Sequence, residues 1–372
     1  MSRDHHILTL NAGSSNLKCA LFRQDGREPV LLGRRTFQGD EDASAGRVLD
    51  WCEGVRPGAG LAVGHRVVHG GPDFHGPTRI NPEVIDALER LVPMAPLHQP
   101  HSIALIRAIA AARPDLKQAA CFDTSFHRTM PEIATRFGLP REMHERGLRR
   151  YGFHGLSYEY VAARLRRFAP KVAAGRVIVA HLGSGASMCA MLGGRSIDST
   201  MGFSPLDGLL MGTRPGALDP GVVLHLRDHE GFSAGGMETL LYHRSGLLGV
   251  SGLSADMRVL LASGTPHARE AIDLFVYRAA REAGALASSL GGLDALVFTG
   301  GIGENCAEIR AGIAARLHWL GIELDWQANE MNAEGQVGLA DARASAWILP
   351  TDEEQVIGRQ TMAALAGAST PA

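Results

Sequence analysis

The sequence predicts an α/β protein built from two related domains, on three observations. A strand, a small polar turn and a return strand occur twice, at residues 7–22 (ILTLNAGSSNLKCALF) and 177–198 (VIVAHLGSGASMCAMLGGRSID). Around these hairpins, short apolar runs alternate with helical stripes. The chain has 372 residues, whereas a single core stops growing near ~250–300. Two halves of common design, with a ligand cleft between them, are therefore expected.

The first hairpin passes through a turn at 11–16 to Lys18. Lys18 lies between Leu17 and Cys19 in a strand pattern and does not enter a helix, which excludes a Walker loop. It is either a solvated edge lysine or a phosphate contact. Residues 61–71 (LAVGHRVVHGG) read as a buried strand ending in Gly-Gly. His65 and His69 stand four apart but lack the glutamate of a zinc-protease helix, and Val67 with Val68 favours a strand. Arg66, inside that apolar strand, needs an anion or a carboxylate partner. Two helices follow over 80–118, with stripes Val84, Leu88, Leu91 and Ile103, Ile106, Ile109, interrupted by MAPLHQP. A short strand then leads to Asp123, at the kind of strand end that holds either a catalytic side chain or a loop-capping one.

A domain boundary near 150 precedes His154 and an amphipathic helix for which Ser157 is the expected cap. In the second hairpin, 177–180 form a strand, 181–187 the turn and 188–192 the return. Gly183 and Gly185 are expected to take positive φ so that backbone N–H groups converge on an anion; a ligand-free glycine-serine hairpin is the alternative. The Gly- and Pro-crowded stretch 199–221 carries Arg214 and Asp219, and its length and apolar content mark a functional loop. Asp256 and Arg258 stand at a loop-to-helix junction, and the stripe over 271–290 forms a long structural helix. A third glycine turn, at 300–305, follows a buried strand and is placed to seat a nucleotide. A dinucleotide fingerprint is the rival reading there, with Glu323 as its acidic residue, but Cys306 occupies the place of its third glycine. Asp352, Glu353 and Glu354 form either a metal-facing cluster or a charged helix N-terminus.

Net charge is −2, without a basic run, so nucleic acid and membrane surfaces are not expected as partners. No apolar run approaches the ~18–20 residues of a membrane span, and no signal-peptide core is evident, so a cytoplasmic location is expected. The five cysteines (Cys19, Cys52, Cys121, Cys189, Cys306) are widely spaced in mostly apolar surroundings, as reduced packing thiols are.

In order along the chain, NAGSSNLK, GHRVVHGG, FDTSFH, YGFHG, AHLGSGAS, MGTRPG, SGLSADMR, TGGIGEN and PTDEE resemble the acetate kinases over nearly its whole length. That resemblance implies the actin, sugar kinase and Hsp70 fold: duplicated ribonuclease H-like domains flanking a cleft. The first would span 1–150 with a C-terminal helix at about 353–372. The second, 151–352, would bear the nucleotide site and a homodimer surface. ATP is implied as co-substrate, with magnesium, or manganese in its place.

Position by position, the resemblance makes Asn11 and Glu353 metal-site residues, and Lys18 an ATP contact. Arg66 would bind the substrate carboxylate, and Val68, Leu97, Phe153 and Pro205 its methyl group. Asp123 is implied as the catalytic acid, with His154 and Arg214 stabilising the transition state. Three ATP-binding stretches are implied: His181, Leu182, Gly183, Ser184 and Gly185; Asp256, Met257 and Arg258; and Gly301, Ile302, Gly303, Glu304 and Asn305. Four positions depart from the family pattern. Asn16 replaces a serine, Ser184 and Gln99 each replace an asparagine, and Met257 replaces an aromatic residue. The shorter Ser184 would reach phosphate only through water, leaving weaker ATP affinity or another donor open.

The expected activity is reversible phosphoryl transfer from ATP to acetate, giving acetyl phosphate and ADP. A propionate or short-chain acid kinase is the near alternative. A nucleotide switch and a nicotinamide oxidoreductase are the distant ones. Val68 favours acetate over longer acids, because the resemblance associates a smaller residue there with propionate.

Overall fold

The computed structural model describes residues 5–13, 16–26, 28–39, 44–58 and 60–367. Ser14 and Ser15, in the first expected turn, lie outside the described residues. The chain divides into two compact units: Met1–Arg128 with Phe153–Tyr160 and Asp352–Ala372, and Thr129–Gly152 with Val161–Thr351. The division is interleaved.

The first unit contains strands β1 (His5–Ala12), β2 (Asn16–Asp25), β3 (Glu28–Gln38), β4 (Gly60–Val67), β5 (Thr78–Arg79) and β6 (Lys117–Phe122), in the sheet order β3-β2-β1-β4-β6-β5. β1, β4 and β6 are parallel, and the hairpin partner β2 is antiparallel to β1. Both faces of the central strands are covered, which is why they read as near-continuous apolar runs. On one face Leu8, Leu10, Cys19, Leu21 and Val63 pack with Val48 and Cys52 of the helix Ala45–Val55 and Ile109 of the helix Gln99–Ala112. Beside them, Val67, Ala120 and Phe122 meet Leu88, Leu91, Ile103 and Ile106. The helix Pro82–Arg90 begins where it does because the Asn81 side chain accepts from the Val84 N–H at 2.8 Å and Pro82 fits the first helical position.

The last helix, Glu353–Leu365, covers the opposite face, where Val356 and Ile357 pack with Cys121 and Leu156. It lies very close to β4. A Cβ on Gly64 would fall 2.1 Å from Thr361 Oγ1 and 2.8 Å from Ile357 Cγ2, so only glycine fits there.

The second unit repeats the plan. Its strands β7 (Arg176–Leu182), β8 (Ala186–Leu192), β9 (Arg195–Ser199), β10 (Ala295–Thr299), β11 (Gly335–Gln336) and β12 (Ser345–Ile348) stand in the order β11-β12-β10-β7-β8-β9. Read from the other edge, β9-β8-β7-β10-β12 matches β3-β2-β1-β4-β6, with the same parallel and antiparallel relations. This is the duplicated α/β architecture expected from the two hairpins. The helix Pro266–Leu290 packs on β8 and β9. It starts five residues before the expected stripe because Thr265 caps it and Pro266 opens it, and it stops at Gly291, whose φ of 68° is left-handed.

Two expected boundaries are corrected. Ser157 is not a cap: the helix Gly155–Phe168 begins before it, with Tyr158 N–H donating to the His154 carbonyl at 3.0 Å. In the second hairpin His181 and Leu182 belong to β7, so the turn is only 183–185.

Candidate active site

In the first unit the β1–β2 register sets Asn11 directly opposite Lys18, which explains how two residues seven apart share one place. Asn11 is buried and Lys18 exposed. The Asn11 amide donates to Glu353 Oε2 and to Glu354 Oε1, both at 2.8 Å, and its oxygen accepts from Arg66 at 3.1 Å. Sequence separations above 340 are bridged because the last helix returns to this sheet.

Arg66 finds its carboxylate at the end of the neighbouring parallel strand. Its NH2 lies 2.7 Å from Asp123 Oδ2, and its Nε lies 3.1 Å from Oδ1 and 3.2 Å from Oδ2. Glu353 Oε2 stands 3.8 Å from the Arg66 NH1. Asp123 is 1% exposed, and burial pushes its carboxyl above the usual carboxylate range against the pull of Arg66. Desolvation also works against the Arg66 charge, but Asp123 and Glu353 more than offset it, so the guanidinium is held charged above its ordinary value.

Asp123 also shapes its surroundings. Its carboxylate accepts from the His154 backbone and its carbonyl from Gly155 N–H at 2.9 Å. His154 there has a left-handed φ of 58°, uncommon for a residue with a side chain and usually maintained by such surrounding contacts. Val68 and Phe153 are buried and Leu97 is half-buried. The His127 Nε2–H donates to the Phe153 carbonyl at 2.9 Å, and the His69 ring meets the Phe153 ring edge-on at 5.3 Å. The histidine pair considered above has other partners: His65 donates to Gln118 at 2.6 Å, with its pKa lowered by burial to about 4, and His69 Nδ1 accepts from Gly71 N–H.

Glu354, expected with Asp352 and Glu353 either in a metal-facing cluster or at a charged helix N-terminus, also belongs to this group through Asn11. It falls on the same helix stripe as Ile357 and Thr361, so its buried position was readable from i, i+3, i+7 spacing. Burial, with Glu353 adding to it, holds its carboxyl above the usual range despite the Asn11 hydrogen bond. A carboxyl whose folded pKa is raised stabilises the fold below its unfolded value. That contribution is lost as pH rises through the folded value. Glu354→Gln is therefore expected to raise the melting temperature more at pH 8 than at pH 5, measured in chelator. Equal gains at the two pH values would contradict the burial argument.

In the second unit four segments converge at the carboxyl ends of β7 and β10, which pair in parallel with Thr299 against His181. Gly183 and Gly185 do not adopt positive φ. Gly183 N–H is turned onto the Gly185 carbonyl at 3.1 Å, so this amide does not face an anion. A Cβ at 183 would stand tight against the Gly185 carbonyl, at 3.3 Å, and in ordinary contact with Gly301 N, at 3.9 Å. The expected turn at 300–305 is a short helix, Gly300–Asn305, entered through Gly300 at φ 77°, where a Cβ would stand 2.7 Å from the Leu182 carbonyl. Gly212 N–H donates to the carbonyl of Ser184, an exposed residue, at 3.0 Å, which joins the Arg214 loop to the hairpin turn.

Within Gly300–Asn305 the Glu304 carboxylate faces inward, accepting from Gly300 N–H at 2.8 Å and Thr351 N–H at 3.2 Å. Buried Arg310 holds the Gly303 carbonyl at 2.9 Å. Arg214 is half-buried and donates to the Pro205 carbonyl at 2.8 Å, which ties two of the expected site residues together. Asp256 caps the helix Met257–Ser263 by accepting from Arg258 N–H at 2.9 Å, and the Arg258 side chain holds the Asp256 carboxyl below its ordinary range. Met257 is buried, so its side chain packs within the unit.

The sequence matches the family described as the acetokinase family over residues 59–359. It is 53% identical over 385 residues to an acetate kinase of Rhodopseudomonas palustris strain TIE-1, covering 95% of this chain and 96% of that protein. To an acetate kinase of Methylocella silvestris it is 47% identical, covering 96% and 98%. Among crystal structures, Porphyromonas gingivalis acetate kinase superposes with a TM-score of 0.84 at 35% identity, covering 97% of this chain and 100% of that one. A Francisella tularensis propionate kinase gives 0.85, also at 35% identity, covering 96% and 98%.

Proposed function

Because the chain belongs to the acetokinase family, we propose that it moves the γ-phosphoryl group of ATP reversibly onto acetate by direct in-line transfer, giving acetyl phosphate and ADP. The observation that carries this reading is the half-buried Arg66 guanidinium at the end of β4. A guanidinium has five N–H donors, and Asp123 with Asn11 engages three of them, so two remain for a small carboxylate.

The acceptor is ionised at pH 7 and needs no general base, so catalysis rests on orientation and on cations around the transferring group. Arg66 grips the acid, and Asp123 acts by fixing Arg66 and the backbone of His154; it does not remove a proton. Val68, Leu97, Phe153 and Pro205 surround the methyl group. His154 and Arg214 stabilise the charge that develops on the phosphoryl group, and Lys18 contacts the phosphates. Segments 181–185, 256–258 and 301–305 hold ATP, with Glu304 and Met257 shaping their segments instead of touching it by side chain. The carboxylate oxygens of Glu353 and Glu354 beside Asn11 suit a hard cation. Asn11 and Glu353 would hold magnesium, or manganese in its place, to neutralise phosphate charge. The working protein is a cytoplasmic homodimer joined through its C-terminal domain.

Hydroxylamine trapping of acyl phosphate, with the acid varied, tests the reading. Acetate should react better than propionate, and propionate much better than butyrate, because each methylene misfit beside Val68 and Leu97 costs ~1–3 kcal/mol. Equal rates with butyrate would refute the proposed pocket, and a propionate optimum would make the protein a propionate kinase. No helix among the described residues is long and apolar enough to cross a membrane.

A further inference from the structure

One helix fastens the backbone on both sides of Val68. Ser102, in the first turns of the helix Gln99–Ala112, donates to the Arg66 carbonyl at 3.2 Å. Gln99, at the start of the same helix, takes both backbone groups of His69: its Oε1 accepts from His69 N–H at 3.3 Å and its Nε2 donates to the His69 carbonyl at 3.1 Å. Gln99 and His69 are each 0% exposed, so no water can substitute for either bond. The clamped segment continues into the site, because the His69 ring packs edge-on against Phe153. Leu97 lies two residues before Gln99 on the chain entering that helix.

Arg66 is the last residue but one of β4 and Val68 the first residue beyond it, so the backbone between the two is the stretch that Ser102 and Gln99 bracket. One is the carboxylate grip and the other a methyl contact in the reading above. Their separation sets the length of acid that fits. We propose that Gln99, assisted by Ser102, is a specificity-determining positioning residue: its two bonds to His69 hold Val68 and Phe153 at a fixed distance from Arg66 and thereby select the shorter acid. This inference rests on the proposed acid kinase activity. A side chain of similar size without amide groups would fill the space but release the clamp, and a shorter amide would span it incompletely.

The test compares wild type, Gln99→Met, Gln99→Asn and Ser102→Ala in the full chain. It reads acetate and propionate KM and kcat, ATP KM and melting temperature. Gln99→Met should raise acetate KM about tenfold and reduce the preference for acetate over propionate by a similar factor, with ATP KM within about twofold of wild type. Gln99→Asn should fall between it and wild type, and Ser102→Ala should shift acetate KM the same way by about twofold to threefold. A fall in melting temperature with an unchanged acid preference in Gln99→Met and Gln99→Asn would overturn the proposal and leave Gln99 a packing residue. If Gln99→Met does not fold, an unchanged preference in both Gln99→Asn and Ser102→Ala overturns it equally. Absence of acyl phosphate from any acid with the wild-type protein would instead refute the activity itself.

Discussion

Arg66→Ala should produce the largest loss of stability of any single change in the site, about 3–5 kcal/mol at pH 7, because it leaves a buried charge without its partner. Asp123 is 1% exposed and held through two oxygens, so the carboxylate left behind has no water to replace the guanidinium. The loss should shrink as pH falls and the orphaned carboxyl takes up a proton. Arg66→Ala/Asp123→Asn should recover part of it, since the second change removes the unpaired charge. Urea unfolding of the three proteins at pH 7 and pH 5 measures these effects, and a single variant as stable as wild type at pH 7 would contradict them. Where the variant is folded, acetate KM should rise as well as turnover fall. Because of the stability term, activity of Arg66→Ala alone cannot be read as substrate binding.

Arg214→Ala should behave differently, lowering turnover by on the order of 10²–10³-fold, as the loss of other preorganised charge donors does. The contrast is structural. Arg214 is half-buried and donates to the Pro205 carbonyl, an acceptor that water can reach once the side chain is gone. Melting temperature should change little, and acetate KM should stay near wild type. Added guanidine should restore part of the turnover by occupying the vacated space. If turnover is near normal and only acetate binding suffers, Arg214 acts in substrate capture or loop structure.

The hairpins were legible because polar turns interrupt apolar runs, and the helices because their stripes repeat at the helical period. The sheet order was not, since neither period says which strand lies beside which; its repetition emerges only when β4 is seen against β1 and β10 against β7. The demand of Arg66 for a carboxylate was readable from its apolar surroundings, but the identity of Asp123, 57 residues away, was not. The expectation for glycine at 183 rested on a positive φ that it does not adopt. Its φ is ordinary, and the tightness there comes from the Gly185 carbonyl, 3.3 Å from where a Cβ would stand. Gln99 was visible only as a departure from a family pattern; that its amide brackets His69 depends on a helix and a strand meeting.

The return of the last helix to the first sheet imposes an order on synthesis. β6 ends at Phe122 and the covering helix begins at Glu353, so the face of the sheet around Cys121 leaves the ribosome long before Val356 and Ile357 exist to cover it. At about 5–20 residues per second the gap lasts roughly ten to fifty seconds. Throughout that interval the nascent first unit presents an apolar surface that belongs to a segment still being translated, and a chain stopped before Glu353 keeps it permanently. Such a chain would be a client for holding chaperones, whereas the second unit, contiguous from Val161 to Thr351 apart from its short early segment, has all its strands before the last helix is made.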